Sequence, residues 1–343
     1  MTSWRDRVYA QLSHRETQPI PYTLGWEGDV GERLDAHYGG TRWRDLLEPA
    51  IRSAPIASLE RHLEESATHY TDLYGTVWRC DRRPTHLETP ALREPTLAGY
   101  RFPTMDALFP AGWDATARHA IAQEPDRFWV AGLGFGLFER TWCLRGFENA
   151  LADAAADPAF YAELVEAVAA HHAAILAKLM ELPLDGIKFS DDWGYQQGVL
   201  LGPERWRRYI KPALRRLYAQ VHAAGLKTLS HCCGSVRDIL PDIIEIGLDA
   251  LESVQPEARG MNPYQLKREF GREITFWGGL GSQSTIPHGT PAEIKAEVRR
   301  LCDEMGRGGG YILGPAKSLQ PETPTANAAA VVEAFLEQAG VAL

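Results

Sequence analysis

Short apolar and β-branched runs alternate with longer amphipathic stretches along the second half of the chain. "DGIKFSDD" (185–192) precedes a helical pattern opened by Pro203 and Glu204 and reaching about residue 224. "LKTLSH" leads into a helix over about 236–246. "DALESV" leads into one beginning at "NPYQLKREF", with Asn262 placed as N-cap and Pro263 in the first turn. "EITFWGG" precedes a helix over 291–305, where Thr290 and Glu293 have the spacing of a capping box. "GGYILG" precedes a last helix over about 325–338, and "RFWVAG" (127–132) reads as an earlier strand. Five successive strand–helix units predict a parallel sheet with right-handed crossovers. A doubly wound sheet would carry a G-x-G-x-x-G turn after a strand. Here "GLGFG" (132–136) lacks the spacing and "GRGGG" (306–310) precedes its strand. The expected fold is therefore an α/β (β/α)8 barrel.

The first 120 residues are less regular, with tryptophans and prolines interleaved. They read as the first barrel strand, "PYTLGW", plus helical and extended additions that wall the site. The chain is thus expected to form one domain over 1–343, with the regular repeats and the site in 121–343.

In such barrels the reactive groups stand at the C-terminal ends of the strands. Those ends carry Asp191 and Asp192, then His231, Cys232 and Cys233, then Glu252, then Gly278 and Gly279 with Gln283, then Lys317. Of these, Asp191, His231, Cys233, Glu252, Gln283 and Lys317 are expected to open onto one cavity. Side chains two apart on a strand share a face, so His231 and Cys233 can offer an imidazole nitrogen and a thiolate to one Zn²⁺ while Cys232 points into the wall. Buried filler and a satisfied core histidine would explain the same pair. Glu252, at the end of the next strand, is placed as a third ligand or as one half of a rim ion pair. Asp191 and Asp192 repel each other when both are ionised, which makes either a candidate acid, base or substrate acceptor, as well as a candidate cap. Trp193, Gly279, Gln283 and Lys317 are the substrate-binding candidates, and Lys317 is also a catalytic one. The mid-helix pair His171 and His172 reads as surface or core.

Composition narrows the partners. The formal charge of −9 argues against nucleic acid. No uncharged apolar run is long enough to span a bilayer, and "MTSWRDRVYAQLSHRE" has no apolar signal core. Five scattered cysteines do not form a disulfide framework in a chain this long. A cytoplasmic protein with a small-molecule substrate is expected, and a homodimer is left open.

Six stretches carry a family resemblance: "LRGFENAL", "FSDDWGYQQGVLLGPERWRRYIKP", "HCCGSV", "LDALESVQPEARGMNPYQLKREFG", "TFWGGLGSQSTIPHGTP" and "GGGYILGPAKSLQPETP". From about Glu139 onward the chain resembles the uroporphyrinogen decarboxylase superfamily, and within it the methyltransferase-like branch. The resemblance implies a (β/α)8 barrel. True decarboxylases of this superfamily carry an N-terminal "RQAGRY" segment, and the corresponding region here is "PYTLGWEGDV". The other branch implies Zn²⁺ on an H-x-C pair plus a later cysteine, with a corrinoid (cobalamin) protein as partner. His231 and Cys233 match the pair, whereas Lys317 stands near the place of the later cysteine. Glu252 would then complete the site, as in the H-x-C…E arrangement of cobalamin-independent methionine synthase. The expectation is a zinc-dependent methyltransferase or demethylase acting on a small anionic substrate. A metal-independent decarboxylase and a non-catalytic binding barrel are its alternatives.

Overall fold

Seven parallel strands form the main sheet in the computed structural model of the chain, which describes residues 2–343. They are β1 (Ile51–Ser53), β2 (Phe128–Phe135), β3 (Gly186–Ser190), β4 (Lys227–His231), β5 (Ala250–Val254), β6 (Thr275–Leu280) and β7 (Tyr311–Pro315), and their order in the sheet is their order in the chain. Each therefore pairs with its sequence neighbour through a helical crossover, the arrangement that the apolar alternation predicts. The sheet curls. Between its edges lies the "PYTLGW" segment, which forms bridges rather than a strand because prolines at 19 and 21 remove ladder donors. Thr23 N–H donates to Leu313 O at 3.0 Å and Leu313 N–H to Pro21 O at 2.9 Å, while Ala50 N–H reaches Tyr22 O at 2.8 Å on the other side.

The helices fall close to their expected bounds. Asn262 caps Pro263–Phe270 through Gln265 N–H, and Thr290 with Glu293 makes a full capping box on Pro291–Arg300. The pattern opened by Pro203 is interrupted by a π turn at Trp206–Ile210 before the α-helix Lys211–Ala223 resumes. Pro212 has no N–H for the preceding turn, which accounts for the local widening.

One end of the sheet is plugged. The helix Trp4–Leu12 packs Val8 and Leu12 against Ile51, Phe128, Val130, Leu229 and Ile312 at the start of the strands. Buried Asp185 ties it down, accepting from Arg5 Nε (2.7 Å), Tyr9 Oη (2.8 Å) and Trp129 N–H (2.8 Å). With that end filled, the open mouth lies at the C-terminal ends. A small antiparallel sheet (His62–Glu65, His69–Asp72, Val77–Arg79, His86–Thr89) adds a wall. No helix among the described residues is long and apolar enough to cross a membrane.

The histidine pair on the helix Pro158–Leu179 belongs to the core. His172 is fully buried with no partner on either ring nitrogen, and His171 stacks on Phe102 with its Nε2 3.3 Å from Tyr74 Oη. Burial, reinforced by the nearby Arg140 charge, pushes His171 down to about 4 and His172 well below its ordinary value. A base depressed in the folded state is protonated first in the unfolded chain. Stability should therefore fall as pH drops below about 6.5 and level off once the folded-state value is passed. A drop from 6.5 to about 4 for His171 corresponds to about 3 kcal/mol, to order of magnitude. Urea midpoints at pH 7 and pH 5 check this, and His171→Gln with His172→Leu should flatten the difference. An unchanged slope in that variant would move the acid sensitivity elsewhere.

Candidate metal and substrate site

The inward faces of β3 to β6 turn polar near the mouth. Lys188, His231, Glu252 and Trp277 point inward on adjacent strands, with His231 in register with Glu252 and Glu252 with Trp277. A lysine inside the otherwise apolar "GIKFS" is costly to bury unpaired. Its Nζ lies 2.5 Å from Glu252 Oε2 and 5.2 Å from the centre of the Trp277 ring.

His231 organises the centre. Its Nδ1 is 3.1 Å from Glu252 Oε2, which leaves Nε2 facing Cys233 Sγ at 3.3 Å and Asp192 Oδ1 at 3.9 Å. Asp192 Oδ1 also accepts the Cys233 N–H at 2.7 Å. One nitrogen, one sulfur and one carboxylate oxygen thus lie within 4.8 Å of one another. This N, S, O set suits a borderline divalent ion, and a carboxylate on the far imidazole nitrogen is the usual outer support of such a site. Burial disfavours the His231 cation, but its bonds to Cys233 and Glu252 outweigh this and raise it to about 10. Burial likewise opposes ionisation of Glu252, yet Lys188 and His231 hold it down at about 2.

The other expected residues divide. Cys232 points into the wall, its Sγ accepting the Trp193 N–H at 3.2 Å. Lys317 and Gln283 line the mouth. Glu252 takes the ion-pair alternative: it grips Nδ1 of His231 and Lys188, and Asp192 stands beside the donors in the third-ligand place expected of Glu252. Asp191 does not reach the cavity. It is buried behind the sheet, accepting the backbone N–H groups of Phe138 and Glu139 at the start of the helix Leu137–Arg145 and the Trp193 indole at 2.6 Å. Trp193 is accordingly a buried wall residue. Gly279 lies against Pro263 and Leu301 instead of the mouth, so a side chain there would meet the surrounding helices.

In place of one cavity there are two adjoining chambers sharing Ala316 and Lys317. The larger, about 530 Å³, is reached by Asp192 and Cys233 and lined by Gln255, Gln283 and Gln320. The smaller, about 250 Å³, holds His231, Glu252 and Lys188. Three participants escaped sequence reasoning besides Lys188. Ser253 sits in a bulge at φ 69°, where its Oγ donates to Ala316 O at 2.5 Å and stands 3.6 Å from Cys233 Sγ. Gln255 follows two residues on. Glu139 is half-buried beside the two aspartates; desolvation there, then repulsion from Asp191 and Asp192, raises it to about 9.

A curled parallel sheet with a polar C-terminal mouth defines an α/β protein of the barrel class. The chain belongs to the uroporphyrinogen decarboxylase (URO-D) family, whose model matches residues 116–338. A methylcobamide:CoM methyltransferase, MtaA, of Methanosarcina barkeri is 29% identical over 138 residues, 39% of this chain and 37% of that protein. A uroporphyrinogen decarboxylase of Thermus thermophilus is 29% identical over 191 residues, 53% of this chain and 50% of that protein. The chain thus spans about half, or less, of the length of these curated relatives. The solved structure of a methyltransferase from Methanosarcina mazei superposes with a TM-score of 0.71 over 98% of this chain and 99% of that one at 19% identity, a likeness of fold.

Proposed function

We propose that the chain is a metal-dependent methyltransferase or demethylase of this superfamily, acting on a small anionic substrate. In this reading residues 21–23 are the eighth stave of a closed barrel. The observation that carries it is the convergence of His231 Nε2, Cys233 Sγ and the Asp192 carboxylate. These three would hold a divalent ion such as Zn²⁺, with Glu252 fixing the imidazole from behind. When bound, such an ion lowers the pKa of a thiol in contact with it and so supplies a thiolate. The thiol gives up its proton and forms a bond to the methyl carbon as the donor's bond to that carbon breaks, the electron pair staying on the donor. A corrinoid protein docked at the mouth would be the donor, or the acceptor in the demethylating direction. Both branches among the relatives, methyltransferase and decarboxylase, use this family's fold; the N, S, O cluster favours the first, because a decarboxylase working without metal has no use for it.

The test is elemental analysis of protein purified without added metal, followed by single-turnover methyl transfer from methylcobalamin to small thiols. About one Zn²⁺ per chain and a methylated thiol support the reading. A metal-free protein that is inert with zinc restored would sink it.

Lys317 is the cation that both chambers share. It is exposed, so pairing with a substrate anion is screened and is worth several-fold in affinity. Lys317→Met should weaken binding of anionic ligands by that factor while metal content stays at the parent level. Equal affinity in the two proteins would remove the anion assignment.

A further inference from the structure

Two side-chain amides of the larger chamber have their polarity fixed by their neighbours, whereas Gln196 and Gln283 bond each other at 3.0 Å and can exchange roles. Gln255 Oε1 accepts the Gly234 N–H at 3.0 Å. A backbone N–H only donates, so the amide cannot be turned around, and its NH2 end is the one left for a ligand. Gln320 is fixed in the opposite sense. Its Nε2 donates to Glu27 Oε1 and to Ser318 O, both at 2.9 Å. Both partners only accept, so the oxygen of Gln320 is left for a ligand. Lys317 stands three residues before Gln320, its backbone N–H held by Ser282 Oγ at 2.8 Å and its side chain exposed at the chamber wall.

Apart from Asp192, assigned above to the metal, the chamber thus presents two committed donors, the Gln255 amide and the Lys317 ammonium, and one committed amide acceptor, the Gln320 carbonyl, backed by the Glu27 carboxylate. A ligand with only an anionic group satisfies the first set and leaves the acceptor unpaired when it displaces water. A ligand with an anionic group and a separate N–H donor satisfies both.

We propose that the larger chamber selects a zwitterionic ligand: a small α-amino acid carrying sulfur in its side chain, with its carboxylate toward Lys317 and Gln255 and its ammonium toward Gln320. The sulfur would then lie toward Cys233 and Asp192, which line the same chamber. This rests on the methyl-transfer reading for the role of the sulfur, and on the amide polarities alone for the zwitterion.

Thioether probes test it without stripping metal or oxidising. Isothermal titration of the purified protein would compare methionine with 4-(methylthio)butanoate, which lacks the ammonium, and 3-(methylthio)propylamine, which lacks the carboxylate. Methionine should bind about tenfold or more tightly than either, the range of a hydrogen bond to a charged group. Gln320→Met should bring methionine to within about twofold of the butanoate without weakening the butanoate, and Lys317→Met should weaken both carboxylates but not the amine. Equal binding of methionine and the butanoate by the parent protein, or no methionine binding at millimolar concentration, overturns the proposal. Retained zinc with no methionine preference removes this inference and leaves the metal reading standing. The preference without any metal does the reverse.

Discussion

Cys233→Ser is expected to lose most of its metal, on the order of 100-fold in affinity, while Cys232→Ser stays within about twofold of the parent. The two cysteines are neighbours of the same type, so composition cannot separate them. Geometry does. Cys233 Sγ lies 3.3 Å from His231 Nε2, whereas Cys232 Sγ is buried and accepts the Trp193 N–H. Serine at 232 should show up as a loss of stability, because it exchanges a soft buried sulfur for a hydroxyl; serine at 233 should show up in chelator competition. Glu252→Gln adds a third arm. That amide keeps the shape but not the charge that grips the imidazole, and a loss of about 10–100-fold is the usual effect of removing such a support. Asp192→Asn should be comparable to Cys233→Ser if the carboxylate is a donor. Equal losses for both cysteine variants would contradict the placement of their side chains.

The same parity argument shows how much of the site was legible. His231 and Cys233 follow from alternation along β4, and Cys232 into the wall follows with them. Applied to β3, alternation also selects Asp192 over Asp191, since Lys188, residue 190 and Asp192 share the inward face. The sequence names both aspartates but offers no reason to look at Lys188 until the strand is known to be in the barrel wall. Asp191 was unreadable for another cause: its partners, the N–H groups of Phe138 and Glu139, belong to a helix start some fifty residues earlier. Parity fails outright at two places. The bulge at Ser253 advances the β5 end by one residue, and Gly279, at φ 91° and two residues after inward Trp277, faces Pro263 and Leu301 instead of the mouth. Local sequence carries no sign of the first, and a glycine pair is compatible with many turns. The strand–helix order, by contrast, needed only hydrophobic periodicity and caps, which are local. Hence the fold was read more fully than the site.

The second large effect concerns the wall that carries the site. Arg140 is fully buried three residues into the helix Leu137–Arg145, whose first N–H groups hold Asp191. Its guanidinium lies 3.6 Å from the centre of the Tyr74 ring and bonds Glu60, while Nε and Nη1 have no partner. Glu60 also accepts the Phe135 N–H at 3.2 Å, so one carboxylate joins the segment before the antiparallel sheet to the end of β2. Glu60→Gln removes the charge and leaves a buried cation with nothing but the aromatic face to balance it. Breaking one side of a buried pair costs about 3–5 kcal/mol, and the partial exposure of Glu60 argues for the lower end, about 3 kcal/mol. The urea midpoint should fall accordingly. The double replacement Glu60→Leu with Arg140→Met removes both charges and both unpaired N–H groups, and should be markedly less damaging than Glu60→Gln alone. If the two losses simply added, the pair would not be coupled and the wall would be held by its aromatic packing. Metal affinity provides the second readout. Because the same helix fixes Asp191, which is adjacent to Asp192, Glu60→Gln should weaken metal retention several-fold in protein that is still folded, an effect that a purely peripheral ion pair would not produce.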